Sequence, residues 1–197
     1  GEVTIDGLDV VRNGHEVRNR IGVSGQNATI DEELTARENL MLVGRLFHLG
    51  DKGAKKRADE LLEIFNLEHA ADRPIKGFSG GMRRRADLAA SLVNDPRILF
   101  LDEPTTYLDL AHSTDVLELV STLNKEQGKT IVMVLHDLNL AARYSDNLVL
   151  MKDGSVTALG SPESTITPQA LRDVFGLDSR VIEDPVTGGP LIVPERP

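Results

Sequence analysis

No cysteine occurs in the 197 residues, which excludes disulfides and thiolate metal sites and fits a reducing compartment. No apolar run approaches the ~18 residues that a membrane-spanning helix needs, and no signal-peptide pattern opens the chain. A basic surplus is missing too: 31 acidic residues against 22 Lys and Arg leave a formal net charge of −9. A sequence-independent grip on nucleic-acid phosphates needs such a surplus, so no nucleic acid is expected as a partner. The local exception, "RRR" at 83–85, reads as a solvated helix face. What is present is globular. Hydrophobic residues make up 40 % and charged residues 27 %, enough for one domain with a sizeable core, expected in the cytoplasm.

"EVTIDGLDVV" reads as two short strands turning at Asp6-Gly7, and "RIGVSGQ" as a short strand ending in a polar loop. "TARENLMLVGRLFHL" (35–49) has apolar residues at helical spacing, with Thr35 and Glu38 forming a capping box at its start. A second helix follows over roughly 54–65. A third, "SGGMRRRADLAASLV", is entered through two glycines with Ser79 as its N-cap. Together they form a helical subregion at about 35–95. Strand 98–101, a helix around "STDVLELVSTLNKEQ", strand "TIVMVL", helix "LNLAARY" and strand "NLVLM" complete an alternating series. Continuously apolar strands between helices predict an α/β fold with a buried parallel sheet. From about 153 to 197 a C-terminal extension is expected. It comprises the hairpin strand "DGSVTALG", a short helix begun at Thr167-Pro168, and two edge strands about a turn at 187–190.

Several polar residues fall where such a sheet binds ligands, at the C-terminal ends of its strands. "ILFLDEPTTYLD" (98–109) delivers Asp102 and Glu103 to that edge. An Asp there suits a hydrated Mg²⁺, which binds through one or two carboxylates plus phosphate oxygens. The adjacent Glu can orient or deprotonate a water. His136 ends the next strand and can donate to a phosphate or position a water, and Gln26 ends an earlier one. In "FSGG" the glycines of Ser79-Gly80-Gly81 let backbone N–H groups approach an oxyanion at a helix N-terminus. Each of these features alone is commonplace.

Their order is more specific. Gln26, a helical subregion, Ser79-Gly80-Gly81, "ILFLDEPTTYLD" and a strand ending in His136 resemble the nucleotide-binding domain of ATP-binding cassette transporters across essentially the whole chain. The resemblance implies a P-loop NTPase-like fold, ATP and Mg²⁺ as cofactors, and a dimer of two cassettes around the nucleotide. It further implies membrane permease partners and a place on the inner face of the cell membrane. In that family Gln26 is the Q-loop glutamine that senses Mg²⁺, and Ser79, Gly80 and Gly81 are the signature that meets the γ-phosphate held by the opposite subunit. Asp102 is similar to the metal carboxylate, Glu103 to the catalytic base, Asp109 to the D-loop aspartate and His136 to the switch histidine.

Two departures stand out. Met82 occupies a signature position where Gln is common, and no GxxxxGK[ST] occurs. The loop of that pattern binds the β- and γ-phosphates. Because the chain begins at Gly1 inside "EVTIDG", the expectation is an N-terminally truncated cassette whose phosphate loop precedes it. Residues 1–197 alone are then expected to bind Mg-ATP weakly and turn over none. A strand is also expected to be missing beside 98–101. The alternative is a degenerate, non-catalytic cassette that supplies its signature to a complete partner. Residues 1 to about 100 resemble daunorubicin-resistance exporters, and residues from about 105 onward resemble ferric-siderophore importer ATPases, with a seam near Asp102–Tyr107. Siderophore uptake and drug export both remain open.

Overall fold

The turn at Asp6 and Gly7, both with positive φ, folds β1 (Thr4–Ile5) antiparallel onto β2 (Leu8–Asp9). The computed structural model describes residues 1–26 and 29–195, in two compact units, Gly1–Val134 and Leu135–Pro197. In the first unit a short helix α1 (Gly14–Arg18), not foreseen from the sequence, leads into β3 (Ile21–Ser24). Three helices follow: α2 (Ala36–Leu46), α3 (Gly50–Ile64) and α4 (Gly80–Ser91). The chain then alternates through β4 (Ile98–Asp102), α5 (Leu110–Gln127) and β5 (Thr130–Val134).

The capping box is present as expected. The Thr35 hydroxyl accepts from the Glu38 N–H at 3.1 Å, and the Glu38 carboxylate accepts from the Thr35 N–H at 2.8 Å. This satisfies donors that the first turn of α2 cannot pair within the helix. The helical region shares one apolar core with the sheet. Leu40, Leu61, Leu62, Phe65, Leu67 and Ile75 are buried with Leu99, Leu101 and Val116. Each such side chain contributes about 1.5–3 kcal/mol on burial.

Strands β3, β4 and β5 form a parallel sheet in that order. This corrects one expectation: 98–101 does not lack a neighbour but is the central strand, paired on both sides. Consecutive strands joined by helical crossovers tend to lie side by side, and that rule outweighed the gap inferred from the missing loop. The outer positions fall to β3 and β5, whose Val23, Val132 and Val134 are each about half exposed. Gly22 lets β3 lie close to the end of α4. A Cβ there would overlap the Ser91 carbonyl oxygen and come within 2.7 Å of Leu99 Cδ2.

The second unit contains α6 (Leu138–Tyr144), β6 (Leu148–Lys152), β7 (Ser155–Gly160), α7 (Pro162–Thr165), α8 (Pro168–Phe175), β8 (Ser179–Glu183) and β9 (Pro190–Pro194). Strand 148–152, expected in the parallel series, lies in a separate two-stranded sheet, paired antiparallel with β7, the hairpin strand expected to fold back after it. The positive-φ pair Asp153-Gly154 folds it straight back. Its residues also alternate at first between buried and exposed, unlike a strand covered on both faces. β8 and β9 form the foreseen hairpin. Leu148, Ile166, Leu171 and Ile192 pack in its small core. Asn139 holds α6 to β9, accepting from the Ile192 N–H at 2.7 Å and donating to the Ile192 carbonyl at 3.2 Å.

Candidate functional site

In the register of β3 on β4, Ser24 lies beside Leu101, so the loops leaving both strands start from one edge. Gln26 and Glu103 stand just beyond those strand ends, and their side chains meet. Gln26 Nε2 donates to Glu103 Oε1 at 2.8 Å. Thr106 Oγ1 donates to Glu103 Oε2 at 2.9 Å. Both donors are neutral, so they orient the carboxylate without cancelling its charge. Glu103 itself adopts φ of 50°, in the left-handed region. For a non-glycine residue this costs about 1–3 kcal/mol, and such strain clusters at functional sites. Asp102 is exposed at the end of β4.

The Ser-Gly-Gly segment begins α4 as expected. Ser79 Oγ accepts from the Met82 N–H at 3.3 Å and caps the helix. Ser79 and Gly80 are exposed, whereas Gly81 is buried. A Cβ on Gly81 would overlap the His112 ring, so this glycine provides space for a neighbouring side chain. Asp109 caps α5: its Oδ1 accepts from the His112 N–H at 2.9 Å and lies 2.8 Å from His112 Nδ1. The bonds to His112 hold the Asp109 carboxyl below the usual aspartate range. His136 is exposed two residues past the end of β5 and belongs to the second unit. The first unit therefore brings Gln26, Asp102 and Glu103 to one edge, while Ser79-Gly80-Gly81 and Asp109 occupy helix starts.

The arginine triplet corrects a further expectation, because it is not a solvated face. Arg83 pairs with Glu32 at 3.0 Å and Arg85 with Asp115 at 2.9 Å. The Arg84 side chain is only 10 % exposed. Burial lowers its pKa, against the opposing charges of Asp87 and Asp102. Asp87, fully buried, accepts from Ser24 Oγ at 2.6 Å and from the Thr29 N–H at 2.8 Å. Sequence reasoning misread Arg84 as solvated and passed over Asp87, Thr106 and His112. One signal was available: Asp87 is a charge within the apolar run "ADLAASL", and a charged residue on a buried helix face needs partners.

The donors present fit magnesium nucleotide. Among the described residues no three His, Cys, Asp or Glu side chains form a closed metal cluster. One exposed carboxylate beside an amide suits an ion that keeps waters and phosphate oxygens as its other ligands. The first turn of α4 leaves N–H groups without intrahelical partners, which suits an anion.

The parallel sheet, with polar loops at the carboxyl ends of its strands and helices packed against it, is the α/β fold of solved ATP-binding cassettes, of the P-loop NTPase type. The family described as ABC transporter matches residues 1–106, and the chain belongs to it. It is 39 % identical over 200 residues to the ferric enterobactin transport ATP-binding protein FepC of Escherichia coli (strain K12), spanning 98 % of this chain and 73 % of that protein. It is 45 % identical over 178 residues to the daunorubicin resistance ATP-binding protein DrrA2 of Streptomyces coeruleorubidus, spanning 90 % of this chain but 53 % of that protein. Both lineages read from the sequence are thus represented, and both matches extend across Asp102–Tyr107. Among solved structures, the ATP-binding cassette MJ0796, a dimer in a post-hydrolysis state with ADP and Pi, superposes with a TM-score of 0.71 at 33 % identity. That match covers 82 % of this chain and 73 % of MJ0796.

Proposed function

We propose that this chain supplies the hydrolytic part of the ATP-hydrolysing subunit of a ferric-siderophore importer, which dimerises around Mg-ATP on the inner face of the membrane beside permease subunits. The observation that carries the reading is the Gln26–Glu103 hydrogen bond, made to a carboxylate on a left-handed backbone at the sheet edge. Glu103 accepts the proton of the attacking water, and Gln26 and Thr106 orient its two oxygens. His136, in the second unit, takes the part of the switch histidine that the family resemblance implies. Asp102, with Gln26, would hold Mg²⁺, which when bound neutralises charge on the phosphate oxygens. Ser79, Gly80 and Gly81 present hydroxyl and N–H groups to nucleotide held by the partner subunit, and Asp109 fixes the start of α5 beside them. Ferric-siderophore import is favoured because FepC matches over 98 % of this chain and most of its own length. Drug export is the second reading, supported by the higher identity to DrrA2, 45 %.

The test is nucleotide-trapped dimerisation of the full-length protein. Glu103→Gln should accumulate an ATP-bound dimer on size-exclusion chromatography, and Ser79→Arg in that background should abolish it by placing a bulky cation where phosphate docks. A dimer indifferent to Ser79→Arg contradicts the signature assignment. A Glu103→Gln protein that binds no ATP favours a non-catalytic cassette.

A further inference from the structure

Arg84 has no part in the roles above, although it lies beneath the residues that fill them. Its three guanidinium nitrogens each reach a main-chain carbonyl. Nη1 donates to Gly25 at 2.8 Å, Nη2 to Asp102 at 3.1 Å and Nε to Pro104 at 3.1 Å. Gly25 directly precedes Gln26. Asp102 and Pro104 flank Glu103. We propose that Arg84 is a positioning residue of the hydrolytic site, fixing the two loop backbones so that the Gln26 amide and the Glu103 carboxylate meet. The inference rests on the catalytic reading of Glu103 given above.

The geometry distinguishes this from a counter-ion for Asp87. Arg84 Nη1 stands 3.5 Å from Asp87 Oδ2, a longer contact than any the guanidinium makes to the three carbonyls. Asp87 already accepts from Ser24 Oγ, the Thr29 N–H and Thr29 Oγ1. Asp87 therefore holds Ser24 and Thr29, and Arg84 holds Gly25, the residue before Gln26. A guanidinium carries its donors in a rigid planar fork, so three carbonyls bound to one fork are fixed relative to each other. Glu103 is the strained residue between two of them. Its left-handed backbone persists because the neighbouring peptides are held on both sides. A lysine at this position has one nitrogen and cannot span the three carbonyls.

The test measures kcat and KM for ATP in the full-length protein with its membrane partners, for Arg84→Lys and for Arg84→Met/Asp87→Asn, which removes both buried charges at similar volume. A displaced catalytic group costs up to about 100-fold. Both variants should lose about 10- to 100-fold in kcat, with KM for ATP within about threefold of the parent. In a Gln26→Ala background the same substitutions should cost less than about threefold further, because the pair they position is already gone. A purely structural role would lower the urea midpoint and leave the kcat of folded protein and this non-additivity unmoved. Arg84→Lys with parental kcat overturns the inference, as does an undiminished loss in the Gln26→Ala background. If the double substitution does not fold, Arg84→Lys alone decides. Parental turnover in Glu103→Gln would instead bring down the catalytic reading itself, so the two failures are separable.

Discussion

The Gly1–Val134 and Leu135–Pro197 units use buried polar groups to different ends. In the first, apolar side chains of α2 to α5 and β4 build the elements, and the buried Arg84 and Asp87 grip the loops that carry Gln26 and Glu103. In the second, the core is small. Arg143 donates to Asp184 at 2.6 Å, with Asp184 only 5 % exposed, and Asn139 joins α6 to β9. Here the polar contacts complete the fold itself. Polar burial positions loops where an apolar core already exists, and it substitutes for apolar contacts where that core is thin.

The largest stability effect that would sharpen this contrast is at Gly22. A Cβ there meets main chain, the Ser91 carbonyl oxygen, which cannot swing aside. Gly22→Ala should destabilise the first unit by about 3 kcal/mol, read as a lower urea midpoint by circular dichroism. An unchanged midpoint would show that β3 does not pack tightly on α4.

A smaller effect is expected at Gly81, where the obstacle is a side chain. Gly81→Ala should cost about 1 kcal/mol as the His112 ring turns out and gives up its bond to Asp109. Gly81→Ala/His112→Ala should recover most of that loss. Failure of the second substitution to rescue would mean that the glycine is needed for its backbone and not for space.

The smallest effect should be confined to the second unit and depend on pH. The hydrogen bond from Arg143, with the Val186 N–H adding to it, depresses the Asp184 pKa from 3.8 to about 2. A carboxyl depressed on folding stabilises above its unfolded pKa, and that contribution is lost as pH falls through the folded value. Asp184→Asn should therefore lower the urea midpoint at pH 7, and the gap to the parent should close between about pH 4 and pH 2. A gap that persists at pH 2 would remove the charge from the explanation.

Much of this was legible because local rules agreed with the fold. Thr35 and Glu38, Asp6-Gly7 and Ser79 each announced a cap or turn that the structure contains. The adjacent carboxylates of "ILFLDEP" fell at a strand end as expected. What was not legible depended on contacts distant in sequence. Arg84 looks like a surface residue until the carbonyls of Gly25, Asp102 and Pro104 are seen around it. The partners of 98–101 likewise depended on strand pairing, which apolar runs alone do not specify, whereas the turn at Asp153-Gly154 announced the hairpin that follows it.

The most direct measurement on the catalytic reading is the turnover of Glu103→Gln in the full-length protein beside its ATP affinity. The substitution keeps the size of the side chain, removes its basicity and leaves Asp102 in place. The account predicts a fall in kcat of about 10²- to 10⁴-fold with ATP affinity within about threefold of the parent. Hydrolysis at the parental rate would contradict it and place the chemistry elsewhere.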